Sequence, residues 1–354
     1  MDFVSVKIDN QVYVYVLTIE VNGENIMDQE GHIICYKMTN QPYTGSQLNK
    51  INQYNLGSGI FSCLRKFKDQ YLICASEKVC IFDISDPEEI SHKLTKPLND
   101  LCIDLHQLGD DRIVFSYATP NSHIYKLEIN DANFGAISLK PSNMDYNWES
   151  GGIMYPYDKN KYFMAERDGM IRLNEINLEP RNDDEKFRVY TKGRFHIHTL
   201  TTYMIWGYLK KEQDILLTNE ELDYDEINES SYIMGSSCGH ISTLQNIPHN
   251  IFKHLDMLDM QLKKTFKGFA EFSNLNFRMN EPNDDPYEKL ELLECHKLSK
   301  RFIDGDFIGM YNSLDHIQQE KIVDSINSAG DEDSQNLNLT AEYYQKLIQS
   351  LTVV

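Results

Sequence analysis

The sequence of 354 residues has no run of about 18 apolar residues, which excludes an ordinary membrane-spanning helix. Its opening, MDFVSVKIDNQVYVYVLTIEV, is charged and alternating, so it predicts a strand and not a secretory leader. Dense Lys/Arg runs are missing: Lys+Arg number 34 against 54 Asp+Glu, a formal net charge of -20. That field repels nucleic-acid phosphates, and direct nucleic-acid binding by this chain alone is not expected. The nearest basic pair, Lys263-Lys264, shares its segment with Asp256 and Asp259 and reads as a solvated helix face. No Cys-x-x-Cys occurs, and the seven cysteines are odd in number, which argues against a zinc ribbon or a paired disulfide framework. Most lie inside apolar stretches, such as Cys35 in HIICYKM and Cys74 in YLICAS. They read as buried reduced thiols of a nuclear or cytosolic protein. Trp-Asp strand endings are absent too, so an ordinary WD40 repeat is not indicated.

What the sequence has is repetition. GHIICYKM from Gly31, EKVCIFDIS from Glu77, SHIYKLEIN from Ser122, GMIRLNEIN from Gly169 and GHISTLQNI from Gly239 are each short and nearly alternating. A second strand-like stretch precedes each: VYVYVLTI, YLICAS, RIVFSYA, YFMAER and SYIMGSS. The first three intervals are about 45 residues, the period of a four-stranded propeller blade. Such a blade buries both faces only by stacking on its neighbours. The last interval is longer by the acidic stretch KEQDILLTNEELDYDEINES, which reads as an exposed loop.

After Pro248 the period changes to three-to-four. Ile251, Leu255, Leu258, Leu262 and Phe266 share one helix face, with Pro248 near its start. A polar segment with two prolines follows, then LDHIQQEKIVDSI, which offers Ile317, Ile322, Val323 and Ile326 for a second helix. LTAEYYQKLIQSL predicts a third, with Thr340 as N-cap and Tyr344, Leu347, Ile348 and Leu351 inward. The expected organisation is mainly β: a β-propeller over 1–247, WD40-like in architecture and short of a full ring, then a small α-helical domain over 248–354 with a linker at 281–298.

Candidate chemistry is sparse. Phe302-Ile303-Asp304-Gly305-Asp306 offers two carboxylates around a glycine, but the remaining ligands of an EF-hand loop are missing. The motif reads as a tight turn with Asp304 or Asp306 capping the next helix and the apolar residues anchoring it. His196 and His198 in RFHIHTL would share one strand face, without a third ligand at metal spacing, and read as a surface pair. Cys238 in GSSCGH lies in a turn between two repeat strands, not at a strand-turn-helix elbow. No catalytic residue, metal or cofactor is expected. Trp148, in the polar stretch MDYNWESGG, is either a core residue or an exposed partner anchor.

SYIMGSSCGHISTL, FKHLDMLDMQLKKTFKGFAEFSNLNFR, RFIDGDFIGMY and LTAEYYQKLIQSL together resemble the C-terminal part of the damage-specific DNA-binding protein 1 family. The polyadenylation-factor large subunit and a splicing-factor 3b subunit belong with that family. YNWESGGIMYPYDKNKYFMAERDGMI, YTKGRFHIHTL and the Thr340-Ala341 helix start favour the damage-binding branch. The resemblance implies the last propeller and the helical domain of an adaptor for cullin-4 ubiquitin ligases. It is therefore expected to be a non-enzymatic nuclear scaffold, also present in the cytoplasm, that meets receptor-type propeller proteins and cullin ligase components. RNA-processing subunits are the alternative partners, and a membrane is not among those expected. By the same resemblance Trp148 matches a Trp of the receptor groove, and Leu101, Asp104 and Leu105 in NDLCIDLHQ fall on a groove-lining strand. An Arg of that groove is replaced near Pro120, and the first two propellers and the early blades of the third lie outside the match.

Overall fold

The computed structural model describes residues 2–21, 29–41, 45–98, 100–117, 122–130, 136–145, 152–179, 181–182, 189–207, 231–266, 274–279, 302–329 and 339–351. Among the described residues, nineteen strands form five sheets in up-and-down order. The first holds β1 (Asp2–Ile8), β2 (Gln11–Val21), β3 (Gln29–Gln41) and β4 (Gly45–Ser58), and the second β5 (Phe61–Phe67), β6 (Tyr71–Ser76), β7 (Lys78–Asp83) and β8 (Ser91–Pro97). The third holds β9 (Cys102–Leu108), β10 (Arg112–Tyr117), β11 (Ser122–Asn130) and β12 (Ala136–Asp145), and the fourth β13 (Gly152–Pro156), β14 (Lys161–Glu166), β15 (Met170–Ile176) and β16 (Val189–His196). The fifth has three strands, β17 (Thr201–Trp206), β18 (Tyr232–Ser236) and β19 (Ile241–Leu244), where the repeat predicts four.

The sequence expectation of one opening strand is corrected to a hairpin. Asp9 and Asn10 take φ 47° and 62°, the left-handed pair that a two-residue primed turn needs, and β1 pairs back on β2 from Ile8↔Gln11 to Asp2↔Leu17. Asx residues tolerate that conformation, which is why an otherwise continuous alternating run folds back on itself.

The chain divides into two compact units, the first Met1–Arg167 with Leu173–Tyr190 and the second Asp168–Arg172 with Thr191–Val354. In the first unit the pleat explains the stacking. Leu72 and Cys74 of β6 face a core with Tyr15, Leu17, Ile33 and Phe61. Ile73 and Ala75, one residue out of phase, face another core with Leu105, Ile113 and Phe115. Val114 of β10 then turns the opposite way, toward Met154, Tyr162 and Met164. Strands buried on both faces read as continuous apolar runs, and stacking of this kind is what a propeller blade requires. The first strands pack in succession, β1 on β5, β5 on β9 and β9 on β13.

The second unit carries the helices α1 (His249–Thr265), α2 (Asn274–Met279), α3 (Gly305–Gly309), α4 (His316–Ala329) and α5 (Ala341–Leu351), with a 3-10 turn at Met310–Ser313. Ile251, Leu255, Leu258 and Leu262 of α1 pack with Phe307, Ile308, Ile322, Val323, Ile326, Tyr344, Leu347 and Ile348 in one core. Pro248 is the N-cap of α1. The Thr340 hydroxyl accepts from the Tyr343 amide at 3.2 Å, as an N-cap does. Ile317 departs from the expectation: it is 64% exposed. Five positions before Ile322, it lies well off the buried stripe at 100° per residue. The inward position is taken by Gln319, whose amide donates to the Tyr311 carbonyl at 2.9 Å and whose Oε1 accepts from Gln345 at 2.7 Å. A fully bonded glutamine can fill a core position that the apolar pattern assigns elsewhere.

Candidate interaction site

The residues expected to line a groove fall into different environments. Leu101 precedes β9 and is 41% exposed. Leu105, within β9, is 1% exposed and belongs to the core between the second and third sheets. Asp104 is 7% exposed and turns to the opposite side of the strand from Leu105, into a polar cluster. Trp148 and Pro120 lie outside the described residues.

The Asp104 cluster runs across the first strands of the sheets. Asp104 Oδ1 accepts from Arg65 Nη2 of β5 at 2.7 Å, and Oδ2 lies 3.1 Å from His106 Nε2. Arg65 Nη1 reaches back to Asp2 of β1, whose Oδ2 also accepts from the Leu64 amide at 2.9 Å. The His106 ring lies 4.9 Å from that of Tyr155 on β13. Burial by itself raises the Asp104 carboxyl, but the His106 hydrogen bond and the Arg65 charge outweigh it and hold the group below the ordinary carboxylate range. Burial works against the Arg65 charge, and Asp104 and Asp2 more than offset it. Asp2, Arg65 and His106 were not among the sequence candidates. The signal for Arg65 is a lone guanidinium in FSCLRKF, a segment whose other inward positions are apolar.

Asp304 of the second motif is 6% exposed and caps α3, its side chain accepting from the amides of Asp306 at 3.2 Å and Phe307 at 3.3 Å. It also takes a forked pair from Arg278 of α2, Nε to Oδ2 at 2.6 Å and Nη2 to Oδ1 at 3.0 Å. Asp306 stands 3.6 Å from Arg278 Nη2 with its side chain open to solvent. The Arg278 guanidinium stacks 4.9 Å from the Phe195 ring centre and 5.1 Å from that of Phe277, and Phe195 lies 5.7 Å from Phe302. Phe307 and Ile308 are buried, and Ile303 packs on the helical core. The geometry is that of a helix start clamped by a guanidinium.

The histidines depart from the surface pair that the sequence suggested. His196 closes β16 and is buried, while His198 lies beyond the strand at φ 58°. Their rings are 4.1 Å apart, and His198 Nε2 lies 2.5 Å from the Phe277 carbonyl. Gly169 explains the tight bend beneath them: at φ +98° a Cβ there would lie 2.9 Å from the Thr199 amide nitrogen. Burial, and then the neighbouring His198, hold the His196 imidazole below its ordinary value. Cys238 is exposed in the turn between β18 and β19, and Cys35, Cys63, Cys74, Cys80 and Cys102 are buried free thiols. Among the described residues, no three His, Cys, Asp or Glu gather as metal ligands, and no helix is long and apolar enough to cross a membrane.

Stacked up-and-down sheets with buried polar braces, followed by a helical bundle, define a propeller-like module. The chain belongs to the CPSF A subunit region family, whose family model matches residues 1–313. It is similar to DNA damage-binding protein 1 of Solanum lycopersicum, with 23% identity over 218 residues, 62% of this chain and 17% of that protein. The Oryza sativa subsp. japonica DNA damage-binding protein 1 is 22% identical over 319 residues, 89% of this chain and 26% of that protein. DNA damage-binding protein 1a of Arabidopsis thaliana is 23% identical over 219 residues, 62% of this chain. The chain thus spans between 17% and 26% of the length of these curated relatives.

Proposed function

We propose that this protein is a non-enzymatic scaffold that binds other proteins through its propeller-like sheets and is linked to ubiquitination and DNA repair. The observation that carries the reading is the family match over residues 1–313 together with the similarity to DNA damage-binding protein 1 along 89% of the chain. In this reading residues 1–247 are the propeller part, 248–354 the helical part and 281–298 a linker. Leu101 is the described groove residue available to a partner, because Asp104 and Leu105 hold the strand from within. Trp148 is assigned as the aromatic anchor of the partner surface. Partners are receptor-type propeller proteins and cullin ligase components, and the site of action is the nucleus.

A second reading, a subunit of an RNA-processing assembly, is favoured by the description of the family itself, the CPSF A subunit region. Affinity purification of the tagged chain at native level, followed by mass spectrometry, separates the two. Cullin and receptor propellers that are lost with Trp148→Ala or Leu101→Ala, in a chain that stays folded, are the expected result. Recovery of splicing or cleavage subunits instead moves the protein to the second reading. Full partner recovery by both folded variants removes the groove assignment.

A further inference from the structure

Among the described residues the fifth sheet holds three strands, while each of the other four holds four. Its last strand, β19, has no neighbouring strand on its outer side among the described residues. Ser236 N donates to the His240 carbonyl at 3.0 Å, and the register continues through Met234↔Ser242 and Tyr232↔Leu244. In an antiparallel ladder the alternate residues, Ile241 and Thr243, then point their peptide groups away from β18. Among the described residues, neither of these peptide groups has a hydrogen-bond partner. Ile241 is also 69% exposed, and Tyr203, Ile205 and Trp206 of β17 are exposed too, while Met204, Tyr232 and Met234 of the same sheet are buried.

Beside that edge lies a cavity of about 860 Å³, floored by β19 and walled by Phe195, Phe302, Ile303, Ile348 and Leu351. At the end of the strand, Gln245 Nε2 donates to the Leu351 carbonyl at 3.4 Å and ties α5 alongside. The polar part of the lining includes Asp304 and Asp306 with Arg278. Asp304 is occupied by Arg278, whereas the Asp306 carboxylate is open to solvent at the rim.

We propose that the outer edge of β19 is a strand-addition site that takes an extended segment of a partner protein, apolar at alternate positions and basic between them. The backbone of the segment pairs with Ile241 and Thr243, and its apolar side chains enter the cavity against Phe302 and Ile348. Its basic side chains face Asp306 and the field of a chain of net charge -20. That same charge disfavours a second copy as the occupant, since two such chains repel. The inference concerns the fifth sheet, whereas Leu101 adjoins the third, and it does not rest on the groove assignment.

The test uses the full chain and two fluorescein-labelled peptides, Lys-Val-Lys-Val-Lys-Val-Lys and its Glu-for-Lys counterpart, with binding followed by anisotropy. The lysine peptide is expected to bind at least about tenfold more tightly than the glutamate peptide, weakening as salt rises. Amide exchange at Ile241 and Thr243 should slow about tenfold on binding, with Ser242 and Leu244 unchanged, because only the outward amides gain partners. Thr243→Pro removes an outward N–H at a position where an edge strand accepts proline, so it should abolish binding with its melting temperature kept. Binding without protection of Ile241 and Thr243, or equal binding by Thr243→Pro, overturns the site. Protection of those amides without peptide, accompanied by a dimer in sedimentation, also overturns it and assigns the edge to a second copy.

Discussion

Replacing Asp304 separates two contributions that the structure assigns to one carboxylate. Asp304→Asn keeps an oxygen acceptor for the Asp306 and Phe307 amides and removes the charge that Arg278 grips. Asparagine caps about as well as aspartate, so the loss reads the ion pair. Breaking a buried pair by removing one partner costs about 3–5 kcal/mol. The low end applies here because Asp306 remains 3.6 Å from Arg278 and can take part of its charge. Asp304→Asn is thus expected to cost about 3 kcal/mol. Asp304→Ala also removes the cap, worth about 1 kcal/mol, for a total of about 4 kcal/mol. In a unit of this size each kcal/mol moves the melting temperature by about 2–4 °C, so the asparagine variant should melt roughly 6–12 °C lower. Circular dichroism at a helix wavelength is the suitable probe, because the helices among the described residues lie in the unit that holds Asp304. In an Arg278→Met background the asparagine substitution should lose most of its effect, with a coupling of about 2 kcal/mol or more. A loss below about 1 kcal/mol for both single variants, or strict additivity with Arg278→Met, would refute the clamp.

Other consequences are open to direct measurement. Asp104→Asn should cost about 3 kcal/mol at neutral pH, since Arg65 keeps only Asp2. Its folded carboxyl is held low, so the contribution is present above the unfolded value near 4 and is lost as pH falls through the folded one. The gap between wild type and Asp104→Asn in urea melts should therefore close on acidification, and a gap independent of pH would contradict the assignment. His196 is also held low, so stability it contributes above an unfolded value of about 6.5 is lost as pH falls through its folded value. His196→Gln should flatten the stability profile as pH falls below about 6.5. Leu105→Ala should cost about 2–5 kcal/mol, whereas Leu101→Ala should stay within about 0.5 kcal/mol, and the reverse order would misplace the strand. In a Cys295→Ser chain, iodoacetamide should modify Cys238 in the native state and reach Cys35, Cys63, Cys74, Cys80 and Cys102 only on unfolding.

The five repeat pairs visible in the sequence are the two central strands of the first four sheets and the last two of the fifth. They were legible because strands such as YLICAS and KVCIFD are buried on both faces and carry dense apolar runs. Outer strands were not, since a strand like SHKLTKP is half exposed and carries no apolar period. Helix faces were readable for the same reason as the central strands, except where Gln319 stands in for Ile317. The polar braces were hidden by distance along the chain. Asp104 and Asp304 were visible as residues, but their partners Arg65 and Arg278 lie 39 and 26 positions away, beyond any local pattern. That the described part of the fifth sheet holds three strands was equally invisible, because the strands that are present look like those of the other sheets.

The chain of Asp2, Arg65 and Asp104 has a consequence for assembly order. The apolar faces of successive sheets are chemically alike, and grease alone would let a sheet dock on the wrong neighbour. The polar residues on the first strands are not alike: they alternate carboxylate, guanidinium, carboxylate from β1 to β5 to β9. If β9 met β1 directly, Asp104 would confront Asp2 with no cation between them. A slip of one residue in β5 would turn Arg65 toward the apolar core. Either error leaves a half-buried charge without its partner, at a penalty of up to about 3–5 kcal/mol, a sizeable part of a domain's marginal stability. The brace thus favours one order of sheets over its permutations through charge, where the apolar faces do not discriminate.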